Sequence, residues 1–455
     1  MRKALNLRAL ALLSLLAAPV SLFSKTVPNP DAKGPFEVGF TTFTALDPSR
    51  ATAAFPQGRP IPVYVWYPVD PTAINAQTSR ALYPLDPYFG GLPVINSLEF
   101  EAHGLDKAYQ APSPSVSKPF PLIVFSPGWG TGAYDHVFLG TRLASHGFVV
   151  AALFHYGSGI VPGEPFEHIA WALFHRPRDV SSAIDRVLAR NSAPSDPLFG
   201  LVQPEKIVAS GWSLGGYAAL TLAGGDDSAG DVCADFRGWP TPPETLVPSL
   251  PDGRVKAIVT LDGSNQCLKF TELARIHMPA LGLGEEWTKL ATGMPGMETW
   301  QARQHAAMSG HPSYRIDVTG AEHQSFSNTC ASNAIWAAHG LDPWATEARS
   351  YALAATCDAR VIQPSEAFRL VTKYMIAFLT KTVIGSPGYQ PILTPGYAIT
   401  SEPLIEFFET EKRSPNAINE DWPDYFTYFL HQPGTADARG PKDLQLKPAV
   451  KPPGR

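Results

Sequence analysis

The stretch Lys206-Ile207-Val208-Ala209-Ser210-Gly211-Trp212-Ser213-Leu214-Gly215-Gly216 decides how the rest of the chain is read. A short apolar run leads into Gly-x-Ser-x-Gly, and the small apolar residues Ala218, Ala219, Leu220, Leu222 and Ala223 follow. Strand, sharp turn and helix in that order form a nucleophile elbow. The serine is pushed out at the top of a sheet, and glycines flank it because a Cβ there would clash. Gly211 and Gly215 supply that room, and the helix points its positive dipole end at Ser213. By itself the five-residue pattern also fits an ordinary glycine turn; the strand before and the helix after favour the elbow.

Outward from the elbow, strand and helix patterns alternate from Pro121 on, which implies a mostly parallel sheet with helices on both faces. Leu122 to Ser126 and Phe148 to Leu153 read as strands, and His136 to Ser145 as a helix. Asp179 to Arg190 carries Val180, Ala183, Ile184, Val187 and Leu188 at helical spacing. Beyond the elbow, Val255 to Leu261, Ala280 to Leu283 and Tyr314 to Val318 read as strands, and Ser365 to Thr380 as an amphipathic helix. Upstream, Phe36 to Phe43 and Ile61 to Tyr67 read as a pair of strands. The expected layout is one domain over 25–400, with inserts at about 68–119, 224–253, 285–310 and 328–362. An extension at 401–455 follows, and its end, 433–455, is expected to be disordered.

The chain has 455 residues, 44% hydrophobic and 17% charged, with a net charge of -5. That is enough apolar material for a large core, and no basic footprint for nucleic acid. Its 45 prolines are about twice the usual share and suggest stiff surface loops. Arg2, Lys3 and Arg8 precede the apolar run Ala9 to Phe23, the pattern of a secretory signal peptide ending near Ser24. The run is short for a membrane span and Pro19 interrupts it, so a secreted or periplasmic protein with no stable span is expected. The four cysteines permit three pairings. Cys233 with Cys267 and Cys330 with Cys357 is favoured, because each bridge would close one insert. No Cys-x-x-Cys or His-x-x-x-His spacing suggests a metal site.

A serine hydroxyl needs a base to take its proton, and the base needs a carboxylate to hold it. His323, in Gly320-Ala321-Glu322-His323-Gln324-Ser325-Phe326 directly after the strand at 314–318, is the candidate base; His305, His311 and His339 read as surface histidines. The acid should sit at a strand end between Ser213 and His323. Asp262 qualifies, and so do Glu285 and Glu286; Asp262 is favoured as a short, rigid carboxylate, while Asp317 lies within a strand. An ester's tetrahedral intermediate needs donors for its oxyanion. The candidates are the backbone N–H groups of Leu214 and of Trp129, the latter in Ser126-Pro127-Gly128-Trp129-Gly130. The indoles of Trp129 and Trp212 are expected to line the acyl pocket and His155 its wall, the bland alternative being that the tryptophans pack the core.

Ser-Pro-Gly-Trp-Gly, Gly-Trp-Ser-Leu-Gly-Gly, Leu-Asp-Gly and Ala-Glu-His-Gln-Ser-Phe together resemble the α/β-hydrolase branch of platelet-activating-factor acetylhydrolases and bacterial dienelactone-hydrolase-like proteins. The resemblance runs from about Gly34 to Thr380. It implies an α/β-hydrolase fold and a Ser213, Asp262, His323 triad, because in the acetylhydrolases the acid follows the strand after the elbow. Bacterial polyester hydrolases are similar in two of these motifs but place the acid after the later strand, which would point to Glu285 or Glu286. Dienelactone hydrolases proper use a cysteine where this chain has Ser213. The implied activity is hydrolysis of a small-molecule or lipid ester without metal or organic cofactor. The rival readings are a polyester or lipid hydrolase with an open aromatic cleft, an amidase with the same triad, and a binding protein of this fold without turnover.

Overall fold

The computed structural model describes residues 27–115, 119–161, 163–229, 233, 241–285, 300–341, 357 and 361–409. The expected signal peptide at 1–24 and the expected disordered end at 433–455 lie outside them. Strands β1 (Glu37–Asp47) and β2 (Arg59–Val69) pair antiparallel along their whole length. In the insert that follows, β3 (Leu82–Pro84) and β4 (Val94–Asn96) make a small separate sheet. Helix α1 (Ser97–Glu101) is started by a capping box of Asn96 and Glu99, and β5 (Tyr109–Gln110) returns to pair with β1.

Alternation then begins with β6 (Phe120–Ser126), α2 (Val137–Ser145), β7 (Val149–Leu153), α3 (Ile169–Asn191), β8 (Val202–Trp212) and α4 (Leu214–Gly224). It continues with β9 (Val255–Leu261), α5 (Phe270–Leu273), β10 (Ala280–Glu285), α6 (Trp300–Ala307) and β11 (Ser313–Val318). Helices α7 (Thr329–Ala338), α8 (Pro364–Leu379) and α9 (Pro395–Ser401) and strand β12 (Ile405–Glu409) complete it.

Ten strands form one sheet in the order β12-β11-β10-β9-β8-β6-β7-β2-β1-β5. Strands β6 to β11 are parallel, while β2 and β12 flank them antiparallel. The alternation along β6 explains why its sequence is apolar from Phe120 to Phe125. Ile123 and Phe125 enter the core layer under α2 and α8, and Leu122 and Val124 the layer under α3 and α4. From β6 the chain goes first to β7 on one side and then to β8 on the other. The winding reverses between β6 and β8, and in open parallel sheets ligands bind outside the carboxyl ends of the strands at such a point. Those ends are Ser126 and Trp212, with Ser126 opposite Gly211 in register.

Three expectations change. Helix α3 starts ten residues before Asp179, because buried Ile169, Ala170 and Leu173 carry its apolar face past Pro177, a residue that reads locally as a helix start or break. The sheet extends past residue 400: β12 pairs with β11 from Tyr314 opposite Glu409 to Val318 opposite Ile405, with Ile405 and Phe407 turned into the core. The 68–119 segment, expected as an insert outside the alternating core, joins the main sheet, since β5 adds its edge strand. The cysteines pair as favoured, Cys233 with Cys267 and Cys330 with Cys357. Among the described residues, no helix is long and apolar enough to cross a membrane.

Candidate active site

Ser213 stands between β8 and α4 at φ 55° and ψ -124°, a conformation that costs a non-glycine residue about 1–3 kcal/mol. Its own backbone holds it there. The N–H donates to Leu261 O at 3.1 Å, and the carbonyl accepts from Gly216 N–H at 2.8 Å and Ser264 N–H at 2.9 Å. The glycines are required by close approach: a Cβ on Gly211 would fall 2.2 Å from the Gly215 backbone, and one on Gly215 would fall 1.7 Å from Ser126 O. Every residue of α4 is buried, so the helix is apolar all round rather than amphipathic.

Asp262 follows β9 directly and is fully buried, with φ 44°. Its Oδ2 lies 2.5 Å from Nδ1 of His323, which opens the 3-10 turn His323–Phe326 after β11. Oδ1 faces the backbone N–H of Glu285 at 3.4 Å. His323 is fixed from a second side: Trp212 Nε1 donates to its carbonyl at 2.9 Å, and the two rings lie 4.9 Å apart. Glu285 is a buried residue closing β10 that meets Asp262 through its main chain, and Glu286 lies outside the described residues. Asp317 is held by Arg315 Nε at 2.8 Å within β11, and burial pushes its carboxyl up to about 6. Thus Asp262 is the carboxylate brought to the imidazole.

The loop after β6 passes next to the elbow: a Cβ on Gly128 would sit 3.1 Å from Ser213 Cβ. Thr131 Oγ1 donates to Gly128 O at 2.9 Å, and the half-buried Trp129 ring stacks on Phe166 with centroids 4.3 Å apart. Phe166 belongs to the loop after β7, which Glu164 gathers by accepting from the N–H groups of Gly157, Ser158 and Ile160. Among the described residues no group of His, Cys, Asp and Glu could hold a metal ion.

The model of the alpha/beta hydrolase family matches residues 123–388, from β6 to beyond α8. This chain belongs to that family. The model of platelet-activating factor acetylhydrolase, isoform II, matches residues 21–160 of the hydrolase. Among solved structures it is similar to a ferulic acid esterase from Streptomyces cinnamoneus, at 20% identity and a TM-score of 0.54, over 83% of this chain and 97% of that one. At that identity the likeness is one of fold. No curated protein matches the chain.

Two expected pocket residues of the hydrolase lie elsewhere. Trp212, 1% exposed, sits beneath His323 rather than in an open acyl pocket, because its ring fills the space over Gly128 and its N–H is engaged by His323. His155, 2% exposed, is no pocket wall: Nε2 meets Ser126 Oγ at 2.8 Å and Nδ1 meets Asp179 Oδ2 at 2.9 Å. Burial and the charge of Arg176 lower its imidazole to about 4, so it is neutral at pH 7. Burial alone would raise the Asp179 carboxyl, but Arg59, Arg50 and His155 hold it well below the usual carboxylate range. Sequence reading missed this cluster, since Arg50, Arg59, His155, Arg176 and Asp179 come from four separate segments with no shared motif.

Proposed function

We propose that this hydrolase is an exported serine esterase that cleaves carboxylic esters through an acyl-enzyme. The observation that carries the reading is the Asp262 to His323 contact at the same sheet end as Ser213, Asp262 following β9 beside β8 and His323 following β11. Ser213 Oγ attacks the ester carbonyl while His323 Nε2 takes its proton; Asp262 holds Nδ1–H and stabilises the imidazolium. The N–H groups of Leu214 and Trp129 receive the oxyanion, and His323 returns the proton to the departing alkoxide. Water then attacks the acyl-enzyme with His323 again as base, releasing the acid and restoring Ser213. No cofactor enters these steps.

Export is supported by the two disulfides, which form and persist in oxidising compartments, together with the charged and apolar N-terminal pattern. The exposed face of Phe166 beside Trp129 favours, as a second reading, an extended apolar substrate such as a lipid or polyester chain. The test is Ser213→Ala, assayed on p-nitrophenyl esters of rising acyl length and on a matched amide. Loss of about 10⁴-fold or more in turnover is expected, with the ester preferred over the amide. Parental turnover in the variant would reject the serine mechanism. A parent whose Ser213 takes no fluorophosphonate label would instead be a binding protein.

A further inference from the structure

The hydrogen bonds of the loop after β6 explain how its backbone is aimed. Arg176, on α3, is 1% exposed. Its Nη1 donates to Pro127 O, and Nη2 donates to Gly128 O at 3.1 Å and to Ser158 Oγ at 3.0 Å. Two consecutive carbonyls are thus gripped by one planar guanidinium, whose rigid fork of donors fixes both directions more tightly than a rotatable ammonium would. A trans peptide is planar, with its N–H opposite its C=O. Pulling the carbonyls of Pro127 and Gly128 toward Arg176 therefore turns the N–H groups of Gly128 and Trp129 away from it. The same loop lies against Ser213 at Gly128, and Trp129 N–H is the donor assigned above to the oxyanion.

The grip is itself anchored. One helical turn along α3 from Arg176, Asp179 accepts from Arg50 Nη1 at 2.6 Å and Arg59 Nε at 3.0 Å. Through His155 it reaches Ser126, the residue before Pro127. Arg59 Nη2 also holds Tyr156 O at 2.7 Å, tying down the loop that carries Ser158. We infer that Arg176 is a positioning residue of the oxyanion hole: it fixes the peptide planes of Pro127-Gly128 and Gly128-Trp129, so that Trp129 N–H is aimed before substrate arrives. The inference rests on the serine reading. It adds that transition-state binding, not substrate binding, depends on a buried cation that never touches substrate. Preorganised donors are effective because they need no reorientation during reaction, and a misplacement on the order of 1 Å can cost about 10²-fold in rate.

The experiment compares Arg176→Met, Arg176→Lys and Ser158→Ala with Ser213→Ala on one soluble p-nitrophenyl ester. It reads kcat and KM separately, per active site titrated with a fluorophosphonate in the variants that keep Ser213 and per mole of protein in Ser213→Ala, alongside thermal unfolding and the inhibition constant of phenylboronic acid, which mimics the tetrahedral state. Arg176→Met is expected to lose about 10²-fold in kcat with KM little changed, and phenylboronic acid to weaken in parallel. Arg176→Lys should lose less, and Ser158→Ala least. An arginine with only a structural role would lower the unfolding temperature and the titratable fraction while leaving kcat per site and boronate affinity at parental values; that result overturns the inference. Should Arg176→Met fail to fold, parental kcat in both Arg176→Lys and Ser158→Ala overturns it equally. Ser213→Ala separates the two levels. If it is dead while the Arg176 variants keep parental kcat, the inference alone fails, and if it stays active the serine reading and the inference fall together.

Discussion

Replacing Asp262 by asparagine keeps the volume of a fully buried side chain and changes only charge and hydrogen-bond polarity. The structure leaves the amide no good orientation. With its oxygen toward His323 Nδ1–H, its NH₂ faces the Glu285 N–H that Oδ1 now accepts. With its NH₂ toward His323, the imidazole must accept at Nδ1 and carry its proton on Nε2, where the base is needed. Either way the imidazolium formed during attack loses its counter-charge. At about 4 Å between charge centres and an effective dielectric near 20, that attraction is about 4 kcal/mol, or roughly 10³-fold in rate. Adding the tautomer cost brings the expected loss in kcat to about 10³- to 10⁴-fold. Asp262→Asn, Glu285→Gln and Glu286→Gln would be assayed on one soluble ester, with folding checked by circular dichroism. Both glutamine variants should stay within about tenfold of the parent. An active Asp262→Asn beside a dead glutamine variant would refute the reasoning and move the acid to the end of β10.

Two further outcomes follow from buried groups. His136 packs between Phe125 and Trp212 with no hydrogen-bond partner at either ring nitrogen among the described residues, and burial lowers its imidazole to about 3. Above pH 6.5 neither state binds the proton; below it the unfolded chain does and the folded chain does not, so stability falls by about 1.4 kcal/mol per pH unit for this group. His136→Phe should therefore gain about 2 kcal/mol against the parent at pH 5 relative to pH 8, measured by denaturant unfolding; a pH-independent difference would contradict the assignment. Replacing Cys330 and Cys357 by serine removes a bridge spanning 27 residues, and unfolding should show a loss of about 3–4 kcal/mol. Four free thiols in the unreduced parent would contradict both bridges.

The elbow was legible because every part of it is local: Gly211, Ser213 and Gly215 lie within five residues, and steric need alone fixes them. The parallel core was legible too, since strands buried on both faces, such as β6 and β7, are written as unbroken apolar runs. Strand β12 was missed although Ile405 and Phe407 alternate with Glu406. Five residues after a proline- and glycine-rich stretch carry too little pattern to separate an edge strand from a tail. His155 was misread because a histidine ending a strand at the right rim looks the same in sequence whether it faces a cleft or a buried aspartate 24 residues away. The role of Trp212 was ambiguous for the same reason, as only the path of the His323 loop decides which side of the indole is covered.

Ser126, His155 and Asp179 repeat the residue types and the hydrogen-bond order of a catalytic relay on the strand next to the elbow, at 2.8 and 2.9 Å. A search by side-chain template alone would report this set as a second reactive centre. Exposure separates it from the set proposed around Ser213. Ser126 is 1% exposed and closes a regular strand, whereas Ser213 is lifted by its backbone into a half-buried position at the strand ends. In this chain the dihedral angles and exposure of the serine, not the identity of the three side chains, tell the two sets apart. The same three residue types, at Ser126, His155 and Asp179 all but sealed from solvent, tie the ends of β6 and β7 to α3.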